Sequence, residues 1–185
     1  MTNFHKSRIK NSLDDIGMKW WWFLIIFFIA VIQTTFFKYF EINGVVPNIL
    51  LVLAVLFIIF YDFGDTWPHL IFTGFILDVF SDFRMGTNLT ALMATAAIFH
   101  LFIKDFLNRK SVFPCIFLGF LGLIIFYLFS AGLAGLFMKL EHLAAAGFAR
   151  SVIPIFFTGV IYNFFVFVPF FVLWRQFTPL ETHQH

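Results

Sequence analysis

The sequence predicts an all-α integral membrane protein built as a bundle of six transmembrane helices. The chain of 185 residues is 61% hydrophobic and only 12% charged, with a mean hydropathy of +0.93. A soluble domain of this size could not bury so much apolar surface. Apolar stretches long enough to cross about 30 Å of hydrocarbon recur along the whole length. Short turns separate them, so we expect one membrane domain and no soluble one.

The predicted spans follow from where the apolar stretches begin and end. Helix one follows a polar tail, residues 1–19, and begins at Trp20, Trp21 and Trp22, which are typical of the membrane–water interface. It is too long for a signal-peptide core and no small-residue cleavage site follows, so we expect it to be retained. Pro47 opens helix two, because a proline in the first turn loses no hydrogen bond that the helix needs. The predicted spans are 20–37, 45–61, 66–80, 89–103, 111–137 and 152–174, followed by a tail at 175–185.

The segments between the spans are predicted to be short. The stretch from Lys38 to Gly44 is expected to be a polar turn. Helix three is short, so Trp67 and Pro68 near its start are expected to lie at the membrane boundary. Residues 139–150 are too polar to span and could form an amphipathic helix along the interface.

The distribution of basic residues predicts the orientation. Six spans place both termini on one side, and that side carries most of the basic residues: Lys6, Arg8, Lys10, Lys19, Lys104, Arg109, Lys110 and Arg175. The opposite loops carry Lys38, Arg84, Lys139 and Arg150. The positive-inside rule therefore predicts that both termini are cytoplasmic. The net charge of +2 does not suggest a nucleic-acid partner.

The most informative polar residue is Asp78, which lies inside an apolar helix. A carboxylate at the centre of a membrane helix costs roughly 2.5 to 3.5 kcal/mol, so it needs a partner, a place near the headgroups or a function. A local cap, or a pair with Arg84 across the following turn, would satisfy it. The predicted topology gathers a cluster of polar residues on the outer side: Gln33, Asn48, Asp78, Arg84 and Asn88, with Thr158 and Asn163 in helix six. Such a cluster can be a brace between helices, a ligand pocket or a docking surface for another helix.

Small residues indicate turns and close helix packing. Gly86 is expected to adopt a positive φ in the turn after Asp78, and Gly74 to allow close approach of a neighbouring helix. Ala131 and Gly135 form a small-xxx-small patch on helix five, for which we expect an internal partner.

No motif in the sequence points to catalysis, a cofactor or a metal. There is no nucleophile elbow, zinc-protease motif, phosphate loop or pair of intramembrane aspartates, although a lone carboxylate leaves proton coupling open. Asp62, Asp65 and His69 straddle a turn and a proline and bring no cysteine or second histidine, which disfavours a zinc site. The single cysteine, Cys115, is expected to serve packing.

Three short blocks resemble the bacterial rod shape-determining protein family MreD: Pro47-Asn48-Ile49-Leu50-Leu51, Gly74-Phe75-Ile76-Leu77-Asp78 and Gly86-Thr87-Asn88-Leu89. In that family Pro-Asp or Pro-Asn opens a helix, Gly-x-x-x-Asp lies in the next one, and a turn containing Leu-Gly leads into the fourth. Met85 stands where leucine is usual, and Gln33 also fits the pattern. The resemblance covers Gln33 to Met93, whereas the rest matches only in hydropathy and length.

The resemblance implies a non-enzymatic subunit of the cell-elongation machinery in the bacterial inner membrane. Such a subunit would bind MreC, a single-span protein, and act with the MreB filament, the RodA glycosyltransferase and a penicillin-binding transpeptidase. It also implies a fold like the substrate-binding subunit of energy-coupling-factor transporters. The alternative function is therefore vitamin binding in such an importer, but those subunits often carry Ala-x-x-x-Ala on helix one, where this chain has only Ala30.

Overall fold

The computed structural model describes residues 21–42, 44–61, 63–81, 84–103, 112–140 and 145–177. These residues form six α-helices, α1 (Trp21–Thr35), α2 (Ile49–Phe60), α3 (Phe63–Val79), α4 (Thr87–Ile98), α5 (Val112–Leu140) and α6 (Ala145–Phe177). A 3₁₀ helix, Phe37–Phe40, follows α1, and a π-helical turn, Phe99–Ile103, extends α4. The all-α prediction is confirmed for this part of the chain. Residues 63–65, for which the sequence predicts a turn together with Asp62, are helical and belong to α3. Asp62, the basic loop around Arg109 and most of both tails lie outside the described residues.

Several helix boundaries differ from those expected. The α2 helix begins at Ile49 with Asn48 as its N-cap, so Pro47 precedes the cap instead of opening the helix. The α3 helix begins at Phe63, three residues before the predicted start, so Pro68 lies in its second turn. Pro68 has no N–H to bond the carbonyl of Gly64, four residues earlier. Gly64 is exposed near the start of the helix, so its carbonyl is accessible to other donors. Residues 145–150, expected to lie in a separate interfacial helix, are the first turns of α6.

The centre of the bundle is α2. Every residue from Ile49 to Phe57 is buried, as is Ile59. A helix that is apolar on all sides must be enclosed by neighbours, and α2 packs against α3, α5 and α6. Along the chain, α3 contacts α4, α4 contacts α5 and α5 contacts α6. Three helices, α3, α5 and α6, therefore enclose α2, and α4 packs between α3 and α5.

Aromatic rings attach α1 to this bundle at one end. The ring of Phe23 stacks on that of His69 of α3, with ring centres 4.9 Å apart. The His69 ring also stacks on that of Phe57 of α2, with ring centres 5.7 Å apart. Trp22 lies 5.1 Å from Phe57 and 5.5 Å from Trp174 of α6. Because α1 contacts both α3 and α6, it lies between them on the outside of α2.

The outward faces are strongly apolar. Large hydrophobic side chains are exposed along α1, α5 and α6, including Phe28, Leu128 and Phe165. Two stretches within the helices, Val112–Phe137 and Ile153–Gln176, are long and apolar enough to cross a membrane. The apolar helices Trp21–Thr35, Ile49–Phe60 and Thr87–Leu101 are shorter. The described residues are thus compatible with a helical membrane protein.

Candidate functional site

The carboxylate of Asp78 caps the start of α4. Asp78 lies in the last turn of α3 and is only 4% exposed. Its Oδ2 accepts hydrogen bonds from the backbone N–H of Gly86 at 2.9 Å and of Leu89 at 3.1 Å. Its Oδ1 accepts one from Asn88 at 2.7 Å. The first N–H groups of a helix have no partner within it, and the helix dipole favours a negative charge beside them. We name this arrangement the Asp78 cap.

Two glycines allow the Asp78 cap to form. Gly86 occupies the N-cap position of α4 with φ +94°, which agrees with the predicted positive φ, and it has no side chain with which to cap. Gly74 lies one turn before Asp78 on the same face of α3. A Cβ atom added at Gly74 would lie 2.7 Å from the Cα of Leu89. The Gly-x-x-x-Asp spacing therefore brings α4 against α3 and supplies the acceptor for its start.

Neighbouring side chains complete this turn. The amide of Asn88 donates to Ser81 Oγ at 2.9 Å and to the carbonyl of Leu77 at 3.5 Å. The guanidinium of Arg84, which was considered as a partner for Asp78, lies 5.5 Å from the centre of the Phe137 ring on α5. The backbone of the α4 start is the partner that the structure shows for the carboxylate.

A second set of polar side chains satisfies the start of α2. Leu50 N–H donates to Oε1 of Gln33 on α1 at 3.0 Å, and Leu51 N–H donates to Oδ1 of Asn48 at 2.9 Å. The N–H of Asn48 donates to Oδ1 of Asn163 on α6 at 2.6 Å. Three different segments therefore provide acceptors for one buried helix start.

Asn163 extends this set to α5. Its side chain is fully buried, and its amide donates to the hydroxyl of Tyr127 at 2.7 Å and to the carbonyl of Gly159 at 2.9 Å. We name Gln33, Asn48, Tyr127 and Asn163 the α2-start network. It joins α1, α2, α5 and α6 through hydrogen bonds in an apolar interior.

The two polar sets lie at the same end of the bundle. An apolar cluster packs the middle of α1 against the start of α2 and the end of α3: Ile26, Ala30, Leu50, Ile76 and Leu77. At this end Tyr162 of α6 also donates to the carbonyl of Phe40 at 2.7 Å. We call it the α2-start end.

The sequence pointed to some of these residues and missed others. Gln33 and Asn48 meet in the α2-start network, whereas Asp78 and Asn88 meet in the Asp78 cap. The sequence indicates Asn163 only as a polar residue of helix six, and a small residue four positions before it, Gly159, is the signal that points to close packing there. Tyr127 was missed because it lies among many other aromatic residues.

The small-residue patch of α5 stays a prediction. Ala131 and Gly135 are half-buried. Close approaches are described elsewhere on α5: a Cβ added at Gly119 would clash with the Phe167 ring of α6, and one added at Gly122 would lie 3.2 Å from Phe99 and from Val55, whereas one added at Gly132 would meet no atom within 4 Å. Close contact is decided by the facing side chain, which spacing alone does not reveal.

The chemistry available at these two sets is hydrogen bonding within the protein. Both oxygens of Asp78 and the side-chain oxygens of Gln33, Asn48 and Asn163 accept from the backbone. Among the described residues no group of three or more His, Cys, Asp and Glu side chains is placed to hold a metal ion. The arrangement acts as a brace between helices.

Comparison of the chain with known protein families, with curated proteins and with solved structures finds no match.

Proposed function

We propose that this protein is a non-enzymatic scaffold of the bacterial cell-elongation machinery that resembles the MreD family and binds MreC. The observation that carries the proposal is that the residues on which the resemblance depends form two hydrogen-bonded sets at the same end of the bundle. Gly74 brings α3 against α4, Asp78 caps α4 through Gly86 and Asn88, and Asn48 caps α2. Because the polar atoms of these residues form hydrogen bonds within the bundle, they stabilise its shape, as a scaffold requires.

The apolar exterior supports a location in the inner membrane. Exposed phenylalanines and leucines on α1, α5 and α6 would be costly in water, at roughly 25 cal/mol per Å², and are stable against lipid. We infer six spans with both termini in the cytoplasm. The shorter helices would complete their crossings with adjoining turns, and for α4 that turn would be the π-helical Phe99–Ile103.

The scaffold role assigns the polar sets a geometric task. The α2-start end carries the turns between α1 and α2 and between α3 and α4, and in the proposed topology it faces the periplasm. The Asp78 cap and the α2-start network hold those turns in place, so that MreC meets a rigid surface. Through MreC the protein would act indirectly with MreB, RodA and a penicillin-binding transpeptidase. Rod shape and lateral peptidoglycan synthesis would depend on that surface.

The direct test is a detergent pull-down of the tagged protein from its native membrane, with proteins and small molecules identified by mass spectrometry. We expect MreC to co-purify with the native chain and with Val79→Ala, a change at an exposed neighbour of the cap. Asp78→Ala should lower the recovery of MreC relative to the amount of tagged protein. Depletion of the protein should also turn rod-shaped cells round.

Two results would overturn the scaffold. Recovery of folded protein without MreC, from membranes that contain MreC, would remove the proposed partner. Recovery of a transporter ATPase together with a bound vitamin would instead favour the importer subunit, and the α2-start end would then be examined as a substrate pocket.

A further inference from the structure

The segment between α1 and α2 is apolar on its outside, although its sequence predicted a polar turn. The exposed fraction reaches 86% at Tyr39, and Phe36, Phe40 and Ile42 are each half exposed or more. Lys38 and Glu41 are exposed among them. We name residues 36–42 the aromatic segment. Three large aromatic side chains and an isoleucine on one short connection are unusual for a loop in water.

The aromatic segment has a defined conformation on the bundle. It contains the 3₁₀ helix Phe37–Phe40, and the rings of Phe36 and Phe37 lie 5.6 Å apart. Phe37 is half-buried and packs against the core. The hydroxyl of Tyr162 on α6 donates to the carbonyl of Phe40 at 2.7 Å. The aromatic side chains are therefore held outward by the fold.

The exposed row of α1 indicates what surrounds the aromatic segment. Leu24, Phe28 and Ile32 are exposed at a spacing of four residues, and Phe36 follows at the same spacing. Lipid that covers this row in the proposed membrane location would therefore reach the aromatic segment. Because the chain leaves the row there and returns to α2, the segment would lie at the membrane surface.

The side chains fit that position. Tyrosine and tryptophan concentrate at both membrane–water interfaces, where an apolar ring and a polar group are satisfied together. A lysine there extends its apolar stem along the hydrocarbon and its ammonium toward the phosphates. The exposed row of α1, which includes Leu24, Phe28 and Ile32, leads directly into the aromatic segment. At the same end of the bundle the turn after α3 exposes Phe80 and Met85.

We infer that the aromatic segment is an interfacial lipid anchor, in which Phe36, Tyr39 and Phe40 enter the boundary between headgroups and acyl chains and Lys38 contacts lipid phosphate. This inference rests on the membrane location in the proposed function and goes beyond it. It assigns the lipid headgroup layer, and not a protein partner, to this surface. The anchor fixes the depth of the α2-start end relative to the membrane surface.

Spin labelling in vesicles tests the anchor. Tyr39→Cys carries a nitroxide label in a Cys115→Ala background, which removes the native buried thiol. Leu128→Cys in the same background is the matched control, because Leu128 is 61% exposed midway along α5. Both proteins are reconstituted into vesicles of phosphatidylcholine with phosphatidylglycerol. Power saturation then compares collisions with oxygen, which concentrates in lipid, and with a water-soluble nickel chelate.

We expect the label at position 128 to be reached by oxygen and not by nickel. The ratio of the two accessibilities at position 39 should lie between that of position 128 and that of free label in water. If the nickel chelate reached position 39 as well as it reaches free label while position 128 lay in lipid, the anchor would be overturned and the membrane location would stand. Protection of position 39 from both reagents would assign the surface to a protein contact and would also overturn it. Nickel access at both positions would overturn the membrane location itself.

Discussion

Oδ1 of Asp78 lies 2.7 Å from the backbone nitrogen of Asn88, across the turn that joins α3 to α4. A residue at the end of one helix thus supplies the cap for the start of the next, whose own N-cap position is occupied by Gly86. The carboxylate that appeared costly in an apolar helix is satisfied by three N–H groups that would otherwise be costly themselves. The hydrogen bonds therefore offset both the cost of burying the carboxylate and the cost of burying the three N–H groups.

Removing the carboxylate should destabilise the bundle. Asp78→Ala leaves up to three N–H groups without an acceptor, which should lower the free energy of unfolding by on the order of 3 kcal/mol. Asp78→Asn keeps one acceptor oxygen and should lose about half as much. Chemical unfolding in mixed micelles, followed by circular dichroism, measures both. Val79→Ala is the control. If it lowered the free energy of unfolding as much as Asp78→Ala, the cap would have no special role.

The contact between α3 and α4 should not tolerate a methyl group. Gly74→Ala places a Cβ 2.7 Å from the backbone of Leu89, so the helices must separate at a cost of roughly 1 to 3 kcal/mol. Gly132→Ala is the matched change, because nothing lies within 4 Å of its added Cβ. It should be neutral or stabilising by up to about 1 kcal/mol. Equal thermal stability of the two variants in detergent would show that α3 and α4 are not in close contact.

The turn before α4 should require glycine because of the backbone conformation at position 86, and not because a side chain there would lack space. A Cβ at Gly86 meets no atom within 4 Å, but φ is +94°. Gly86→Ala should therefore cost about 1 to 2 kcal/mol, and Gly86→Asn should cost less because asparagine adopts this conformation more readily. The measurement is the unfolding midpoint of the three proteins. A larger loss for Asn than for Ala would argue that the side chain clashes.

Asn163 and Tyr127 should be energetically coupled. A double-mutant cycle of Asn163→Ala and Tyr127→Phe removes their 2.7 Å hydrogen bond in both orders. Interhelical hydrogen bonds in membrane proteins average about 0.6 kcal/mol and reach about 1.7, and we expect a value in that range. Gln33→Ala with Tyr127→Phe is the control pair, since these side chains contact different parts of the network. Strict additivity for Asn163 and Tyr127 would contradict the bond.

Thr87 offers a stabilising change. Its hydroxyl is fully buried and has no hydrogen-bond partner among the described residues. Thr87→Val keeps the shape and removes the unsatisfied oxygen, which should raise the free energy of unfolding by about 1 kcal/mol. Thr95→Val is a matched control, because the Thr95 hydroxyl donates to the carbonyl of Ala91 at 2.8 Å. A loss of stability at Thr87 would reveal a partner such as a buried water.

Local patterns were sufficient to predict much of the fold. Apolar stretches separated by Asn, Gly and charged residues predicted helices near the observed six, because helix formation in an apolar chain depends on nearby residues. The Gly-x-x-x-Asp spacing and Gly86 indicated a close approach and a tight turn for the same reason. The predicted helix starts at Pro47 and Thr66 were wrong by two and three residues, since the starts at Ile49 and Phe63 depend on which side chains and turns cap them.

The sequence by itself determined that the chain is helical and apolar, and that Asp78 needed compensation. Only the tertiary structure decided that α2 is the central helix, that Asn163 and Tyr127 reach the α2 start, and that Gly119 packs closely while Gly132 does not. These outcomes depend on which residues face each other across distances of tens to more than a hundred positions, as with Asn48 and Asn163. Hydropathy is a property of each residue, whereas a hydrogen bond or a close contact is a property of a pair.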